Sequence, residues 1–444
     1  MKTSRQRMTN DGIFLGWQAP AKRSLGFSRR ADESRTDVIT FNGPHLLSIA
    51  PSGAGKATCA AIPTLLQYPG QAIVLDIKGE LYTTTHRTRR AMGQQVIRLD
   101  PFRVVDASTD SLNPLDILKL PGADIETDCQ SLAKLLSIGK ESNRDPFWHL
   151  TANGLNAGIL TSIATDEDNT RRNLIRMIDM LFGDDVVYQL AVFLDTKGKK
   201  IPRLAYREIS AFLQLPERDT RPSALATAQS FVKCLDAARV SEALANSTID
   251  LEDLRKGMPL TIYLVIPPER LSSHAALVSL WIGTLLQTIF SRQQIPSLRT
   301  LLLLDEAASL GHFPMLETAI TLCRSYGVRV WTFWQDLQQI KSCYPSGWQT
   351  IVNNCGIQVF GINSKLMARE LSEVLDCSTK QLLALEQEQQ FLQLAEYRAP
   401  IIAELPNYLH HQRYAGLFDP NGFYTLTDLA EPDRLHAQGV ATRS

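Results

Sequence analysis

This 444-residue chain has no run that approaches the ~20 consecutive apolar residues needed to span a bilayer. Its first ten residues are polar and lack the apolar core of a secretory signal, so the expectation is a soluble, cytoplasmic protein. The seven cysteines (positions 59, 129, 234, 323, 343, 355 and 377) are odd in number, scattered and free of any CxxC pair. That argues against a disulfide framework or zinc ribbon and favours reduced thiols. Formal net charge is zero, so no global field attracts nucleic acid or an acidic partner, and any such contact must come from local patches. The eight histidines show no metal-ligand spacing, and Ser52-Gly53 lacks a nucleophile elbow, which leaves nucleophilic and zinc chemistry without residues. Internal repeats and long low-complexity tracts are also lacking.

What remains is an ordinary globular composition, 44% hydrophobic and 21% charged, in a chain long enough for about two domains. Two segments about 250 residues apart make sense together. The first, Ala50-Pro51-Ser52-Gly53-Ala54-Gly55-Lys56-Ala57-Thr58, is a small-residue loop between an apolar run and a helix-like run. A glycine-rich turn at a helix start aims backbone N–H groups at phosphate, and Lys56 can reach the terminal phosphates. The second, Leu301-Leu302-Leu303-Leu304-Asp305-Glu306, is a buried strand ending in two acids. Asp305 suits Mg²⁺ through its hydration shell, and Glu306 suits a water that must be oriented or deprotonated. Together they read as a nucleoside-triphosphate hydrolase using ATP and Mg²⁺. The loop departs from consensus: Ala50 replaces the usual first Gly, and Ala57 stands where a Ser or Thr hydroxyl normally meets Mg²⁺. Thr58 comes one residue late, about 100° further around the helix.

Apolar runs at 46–50, 72–76, 96–100, 260–265, 301–305, 328–333 and 358–361 alternate with helical segments, which implies an α/β fold with a mostly parallel sheet. Gly12 to Gly16 reads as a short strand, and residues 55–66 read as a helix locally weakened by Pro63. From about residue 124 to 246 the strand runs nearly vanish and helical spacing dominates, in stretches at 148–165, 170–182, 206–213 and 223–235. The expected organisation is an N-terminal segment (1–35), a nucleotide-binding part (36–122), an all-α insert (123–248), a second nucleotide-binding part (249–415) and a tail (416–444).

Several further segments carry a resemblance. These are Asp76-Ile77-Lys78-Gly79-Glu80, Asp100-Pro101-Phe102, Asn113-Pro114-Leu115-Asp116, Asp145-Pro146-Phe147-Trp148 and Asp305-Glu306-Ala307-Ala308-Ser309-Leu310-Gly311. Arg324-Ser325-Tyr326-Gly327-Val328-Arg329, Trp334-Gln335-Asp336-Leu337 and Ala415-Gly416-Leu417-Phe418-Asp419-Pro420 continue the set. Over roughly residues 40–420 the chain resembles the type IV secretion coupling proteins, the conjugative DNA-transfer ATPases. The resemblance implies a RecA-like P-loop NTPase core with an all-helical domain, working as a homo-hexamer. Such motors pass single-stranded DNA with its relaxase, or effector proteins, to a type IV secretion channel at the inner membrane face. Family members usually begin with membrane-spanning helices, so a separate membrane-anchoring partner is one reading of a chain that shows none.

Roles at matching positions follow from the resemblance together with chemistry. Lys56 and the N–H groups around residues 53–58 cradle the β- and γ-phosphates, Asp305 holds Mg²⁺ and Glu306 polarises the attacking water. Gln335 senses the γ-phosphate, and Arg324 is the candidate arginine finger, with Arg329 as fallback. Basic clusters at 86–90, at Arg171-Arg172 with Arg176, and at 197–200 are places to look for DNA contact, although such runs are usually solvated faces. Two alternatives stay open. One is a nucleotide-gated adaptor with little turnover, motivated by Ala57; the other is a double-stranded DNA pump of similar core.

Overall fold

The structure is a computed structural model that describes residues 11–18, 38–138 and 146–422. Asp145, most of the expected N-terminal segment and most of the expected C-terminal tail lie outside the described residues. Among the described residues eleven strands form one sheet: β1 (Ile13–Gln18), β2 (Val38–Phe41), β3 (Leu46–Ile49), β4 (Ala72–Asp76), β5 (Gln95–Leu99) and β6 (Leu260–Val265). The remainder are β7 (Thr300–Leu304), β8 (Val328–Trp334), β9 (Gly356–Phe360), β10 (Gln389–Gln393) and β11 (Ile401–Glu404). Their spatial order is β2-β1-β11-β10-β9-β3-β8-β7-β4-β6-β5.

The stretch from β9 to β5 is parallel throughout. In β3, β4, β6, β7, β8 and β9 every residue is buried, because helices cover both faces of such a sheet. This is why their sequences read as continuous apolar runs. β10, β11, β1 and β2 add an antiparallel flank. β1 falls within the segment set apart as residues 1–35, yet it is hydrogen-bonded into this sheet. At the junction of the two halves a polar relay replaces apolar packing: Gln358 Nε2 donates to Gln390 Oε1 (2.6 Å), and Ser48 Oγ donates to Gln358 Oε1 (2.5 Å).

Between β5 and β6 the described residues contain helices and no strand. The helix Pro146–Ala164 is central, packed on by Ile125–Leu136, Arg203–Leu213 and Thr220–Val232. The outbound and return crossings to this helical region are bonded to each other. Thr248 N donates to Ser111 O (3.0 Å), Leu112 N to Ala243 O (2.9 Å) and Asn113 N to Ser247 Oγ (2.9 Å). Asn113 also reaches Arg172 O from its amide nitrogen (2.7 Å), and Trp281 Nε1 holds Leu112 O (3.1 Å). The Asn113–Asp116 motif is therefore a neck that fixes the helical region to the sheet domain. Among the described residues no helix is long and apolar enough to cross a membrane.

Candidate nucleotide site

Strands β3, β8 and β7 are neighbours, and their carboxyl ends bring together the phosphate loop, Gln335 and the acidic pair, which lie far apart in sequence. After β3 the chain turns through Ala50, whose amide bonds Trp334 O of β8 (2.9 Å), so the loop is anchored to the sheet. Gly53 (φ 78°) and Gly55 (φ 87°) adopt the left-handed region, which alternates the direction of successive amides and builds an anion-binding concavity. The helix that follows starts with a wide turn over Lys56–Ala61 and becomes α only at Ile62–Leu65. Pro63 explains it. It has no N–H to give to residue 59, and its ring would strike that carbonyl in a regular turn, so the turn before it opens.

Lys56 Nζ donates to Ala50 O (3.1 Å) and lies 3.9 Å from Glu306 Oε2. The same Glu306 oxygen accepts from Gln335 Nε2 (3.3 Å), and the Gln335 backbone N–H donates to Gln339 Oε1 (2.8 Å). Lys56, Glu306 and Gln335 thus meet at one point, with Asp305 beside them. Thr58, by contrast, is buried, and its hydroxyl is directed at Gly55 O (3.3 Å). Ala57, partly exposed, offers no oxygen.

The acids are crowded. Asp305 is pushed up to about 7, by burial first, then by Glu80 and Glu306, against the opposing pull of Lys56 and Lys78. Asp76, at the end of adjacent β4, is fully buried and also pushed up to about 7, by burial and then by Asp305 and Glu80. Its carboxylate caps the helix Glu80–Ala91, accepting from Tyr82 N (2.8 Å) and Lys78 N (3.3 Å). Burial also raises Glu80. Four carboxylates facing two lysines leave unneutralised negative charge of hard oxygen donors, which suits a divalent cation. The described residues contain no group of three or more side chains able to hold a metal alone. Mg²⁺ fits such a place, since it keeps waters and takes phosphate oxygens.

Arg324 stands elsewhere. It precedes β8, at the end of that strand opposite Gln335, and is exposed, with no hydrogen bond or ion pair from its guanidinium among the described residues. Seven strand residues, roughly 20 Å, separate it from its own phosphate loop. The fallback Arg329 is excluded by its contacts: fully buried, it donates to Gly43 O (3.0 Å) and Asp11 O and lies over the Phe41 ring. Of the basic cluster at 86–90, Arg89 is fully buried, bonding Thr261 Oγ1 (2.9 Å), Gly70 O (2.8 Å) and Tyr68 O. Arg87 is spent on Asp419 (2.7 Å) and Gly416 O (3.1 Å).

Those last contacts identify something the sequence motif at 415–420 had not explained. Residues 405–422 form a strap behind the site, joining the phosphate-loop helix to the helix Glu80–Ala91. Tyr408 N donates to Thr58 O (3.1 Å) and Asp419 N to Thr84 O (3.0 Å), while Tyr408 is buried edge-on to Phe418. The strap was not foreseen because its partners are distant in sequence.

This geometry defines a RecA-like protein of the P-loop class, with the strand before Gln335 lying between the phosphate-loop strand and the acidic strand. A family model described as "Type IV secretory system Conjugative DNA transfer" matches residues 4–390, and the chain belongs to that family. Conjugal transfer protein TraG of Escherichia coli is 24% identical over 397 residues, covering 84% of this chain and 59% of TraG. Protein VirD4 of Agrobacterium fabrum (strain C58) is 30% identical over 330 residues, covering 71% of this chain and 47% of VirD4. The chain spans about half the length of the curated relatives it matches. Among solved structures, plasmid coupling protein TrwB in complex with the non-hydrolysable analogue ADPNP superposes with a TM-score of 0.63. The two are 16% identical, and the match covers 82% of this chain and 85% of that one. TrwB in complex with ADP and Mg²⁺ gives 0.61 over the same coverage.

Proposed function

We propose that this chain is an ATP-hydrolysing coupling motor that recruits single-stranded DNA with its relaxase, or effector proteins, and moves them to a type IV secretion channel. The observation that carries the reading is the meeting of Lys56, Glu306 and Gln335 at the ends of three adjacent strands, in a chain of this family. Lys56 and the amides that open its helix bind the β- and γ-phosphates, since the first amides of a helix have no partner within it. Asp305 holds Mg²⁺, which when bound screens the phosphate charge. Glu306 orients the attacking water and accepts its proton. Gln335, already bonded to Glu306, reports whether a γ-phosphate is present. Arg324 acts on a neighbouring copy, because its own loop lies at the opposite end of β8; that requires a ring, and a homo-hexamer is the form this family reading implies. Peripheral placement at the inner membrane face, through a separate anchoring partner, belongs to the same reading.

The deciding experiment is steady-state ATP hydrolysis with and without single-stranded DNA, across a protein concentration series. The motor reading expects turnover that rises cooperatively with protein and again with DNA, and that is lost in Lys56→Ala and Glu306→Gln. A second reading has a specific support: with Ala57 bare and the Thr58 hydroxyl turned to Gly55 O, Mg²⁺ has one protein oxygen fewer. Tight ATP binding with flat, near-zero turnover, and cargo binding that survives Glu306→Gln, would mean a nucleotide-gated adaptor.

A further inference from the structure

The neighbouring parallel strands β4, β6 and β5 end in three loops that converge beside the acidic site. The loop after β5 is tightly built. The Asp100 carboxylate accepts from Val104 N (2.9 Å) and Val105 N (2.9 Å), the Asp100 carbonyl accepts from Arg103 N (3.1 Å), and the Asp100 backbone N–H donates to Thr109 Oγ1 (2.8 Å). These bonds hold Arg103 at φ 57°, a left-handed conformation that non-glycine residues seldom adopt.

Packing does not explain an arginine there. Its side chain is 39% exposed, and its ion pair among the described residues is a 3.8 Å approach to exposed Glu242, which solvent screens. Next in the chain, the Phe102 ring meets the His274 ring edge-on at 4.9 Å. Arg270, exposed, sits one turn before His274, whose amide it accepts (2.9 Å). Two exposed guanidiniums therefore flank a partly exposed aromatic pair. The ridge also presses on the site: a Cβ at Gly79 (φ 73°) would lie 2.5 Å from Val105 Cγ2, so the β5 loop rests directly on the turn between Asp76 and Glu80.

We propose that Arg103, Phe102, His274 and Arg270 form a contact surface for single-stranded nucleic acid, an inference that rests on the motor reading above. The guanidiniums take phosphates, and an unpaired base stacks on the aromatic pair, which a base inside a duplex cannot do. Motor action supplies the reason for the location, since a strand held here lies one side-chain layer from the acids around Asp305.

The test is fluorescence anisotropy of a labelled oligothymidine on the full chain. Arg103→Glu/Arg270→Glu is expected to weaken binding by about tenfold or more and to flatten the slope of log K against log salt by about 1.4, two phosphates at ~0.7 each. Phe102→Ala is expected to weaken it about fivefold or more. Arg103→Gly guards against a folding artefact: glycine relieves the left-handed strain, so this variant should melt no lower than the parent and still bind the oligonucleotide more weakly. A charge-matched control, Lys365→Glu/Lys380→Glu at two exposed lysines outside the ridge, should bind as the parent does. If the parent binds and the double reversal binds with unchanged affinity and slope, the ridge is wrong. If duplex competes better than single strand and Phe102→Ala changes nothing, the single-strand assignment is overturned. A parent that binds no DNA at all overturns the motor reading and the ridge with it.

Discussion

The two ends of the parallel sheet treat buried charge in opposite ways. At the carboxyl ends of β4 and β7, carboxylates are crowded together with too few cations, and Asp76 and Asp305 are both pushed up to about 7. At the amino ends, arginines are buried with more acceptors than they need. Arg292 bonds Arg255 O, Tyr326 O, Leu254 O, Gln71 and Thr300 (2.8–3.1 Å), and Arg299 bonds buried Asp11 together with Asn42 O and Gly43 O. Arg89 does the same with Gly70 O, Thr261 Oγ1 and Gln94 Oε1. Burial lowers Arg89 and Arg292 only to about 10, so both remain charged at neutral pH. A buried charge whose partners are all supplied by the protein is structural, whereas one left short of partners is waiting for a ligand.

That contrast can be broken most sharply at Lys56. Lys56→Ala should lower kcat by roughly 100- to 1000-fold, the usual loss of one preorganised donor, with little change in the urea midpoint. The opposite end should show the reverse. Arg292→Met strands several buried acceptors and should cost about 3 kcal/mol of stability or more, read from urea unfolding, while activity at a temperature where the protein stays folded is retained.

Arg324 is the exposed exception at the amino end, and mixing tests it. Arg324→Ala and Lys56→Ala should each be inactive alone. Mixed in equal amounts before ring assembly, they should recover about a quarter of the interfaces, because loop and finger come from different copies. Recovery of nothing would remove the finger.

The carboxylates predict a pH effect. Folded values near 7 lie above the ~3.9 of an unfolded Asp, so the folded state binds more protons between those values. Stability is therefore fully present at low pH and is lost as pH rises towards and through 7. The melting temperature of nucleotide-free protein should fall between pH 5 and 8, by the equivalent of about 1 kcal/mol or more once screening is allowed for. Asp305→Asn should flatten the curve. The smallest effect is expected at the strap, where Asp419→Ala removes a half-exposed ion pair and should cost about 1 kcal/mol or less.

The legibility of these features follows the same division. Ala72–Asp76, Leu260–Val265 and Thr300–Leu304 were readable almost to the residue, because strands buried on both faces can hardly contain anything but apolar side chains. β2 and β11 have only four residues each, and β10 and β11 carry polar ends, so no continuous apolar run marked them. The cluster at 86–90 looked like a solvated face, yet Leu81, Thr85 and Arg89 are spaced by four and share a buried side of their helix. That spacing was the available signal. Nothing comparable announced Arg292 or Asp11, whose partners are up to several hundred residues away.

By itself, then, the sequence determined the α/β class, the phosphate loop, the acidic strand end and the helical insertion, because each is written in contiguous residues with a fixed period or spacing. Tertiary structure alone decided which cations are consumed as staples and which face solvent. It also turned the Thr58 hydroxyl inward, set Arg324 at the far end of β8 from its own loop, and gathered Arg103, Phe102, His274 and Arg270 into one ridge. Burial and charge compensation are properties of neighbours in space, and a linear order of residues does not specify who those neighbours are.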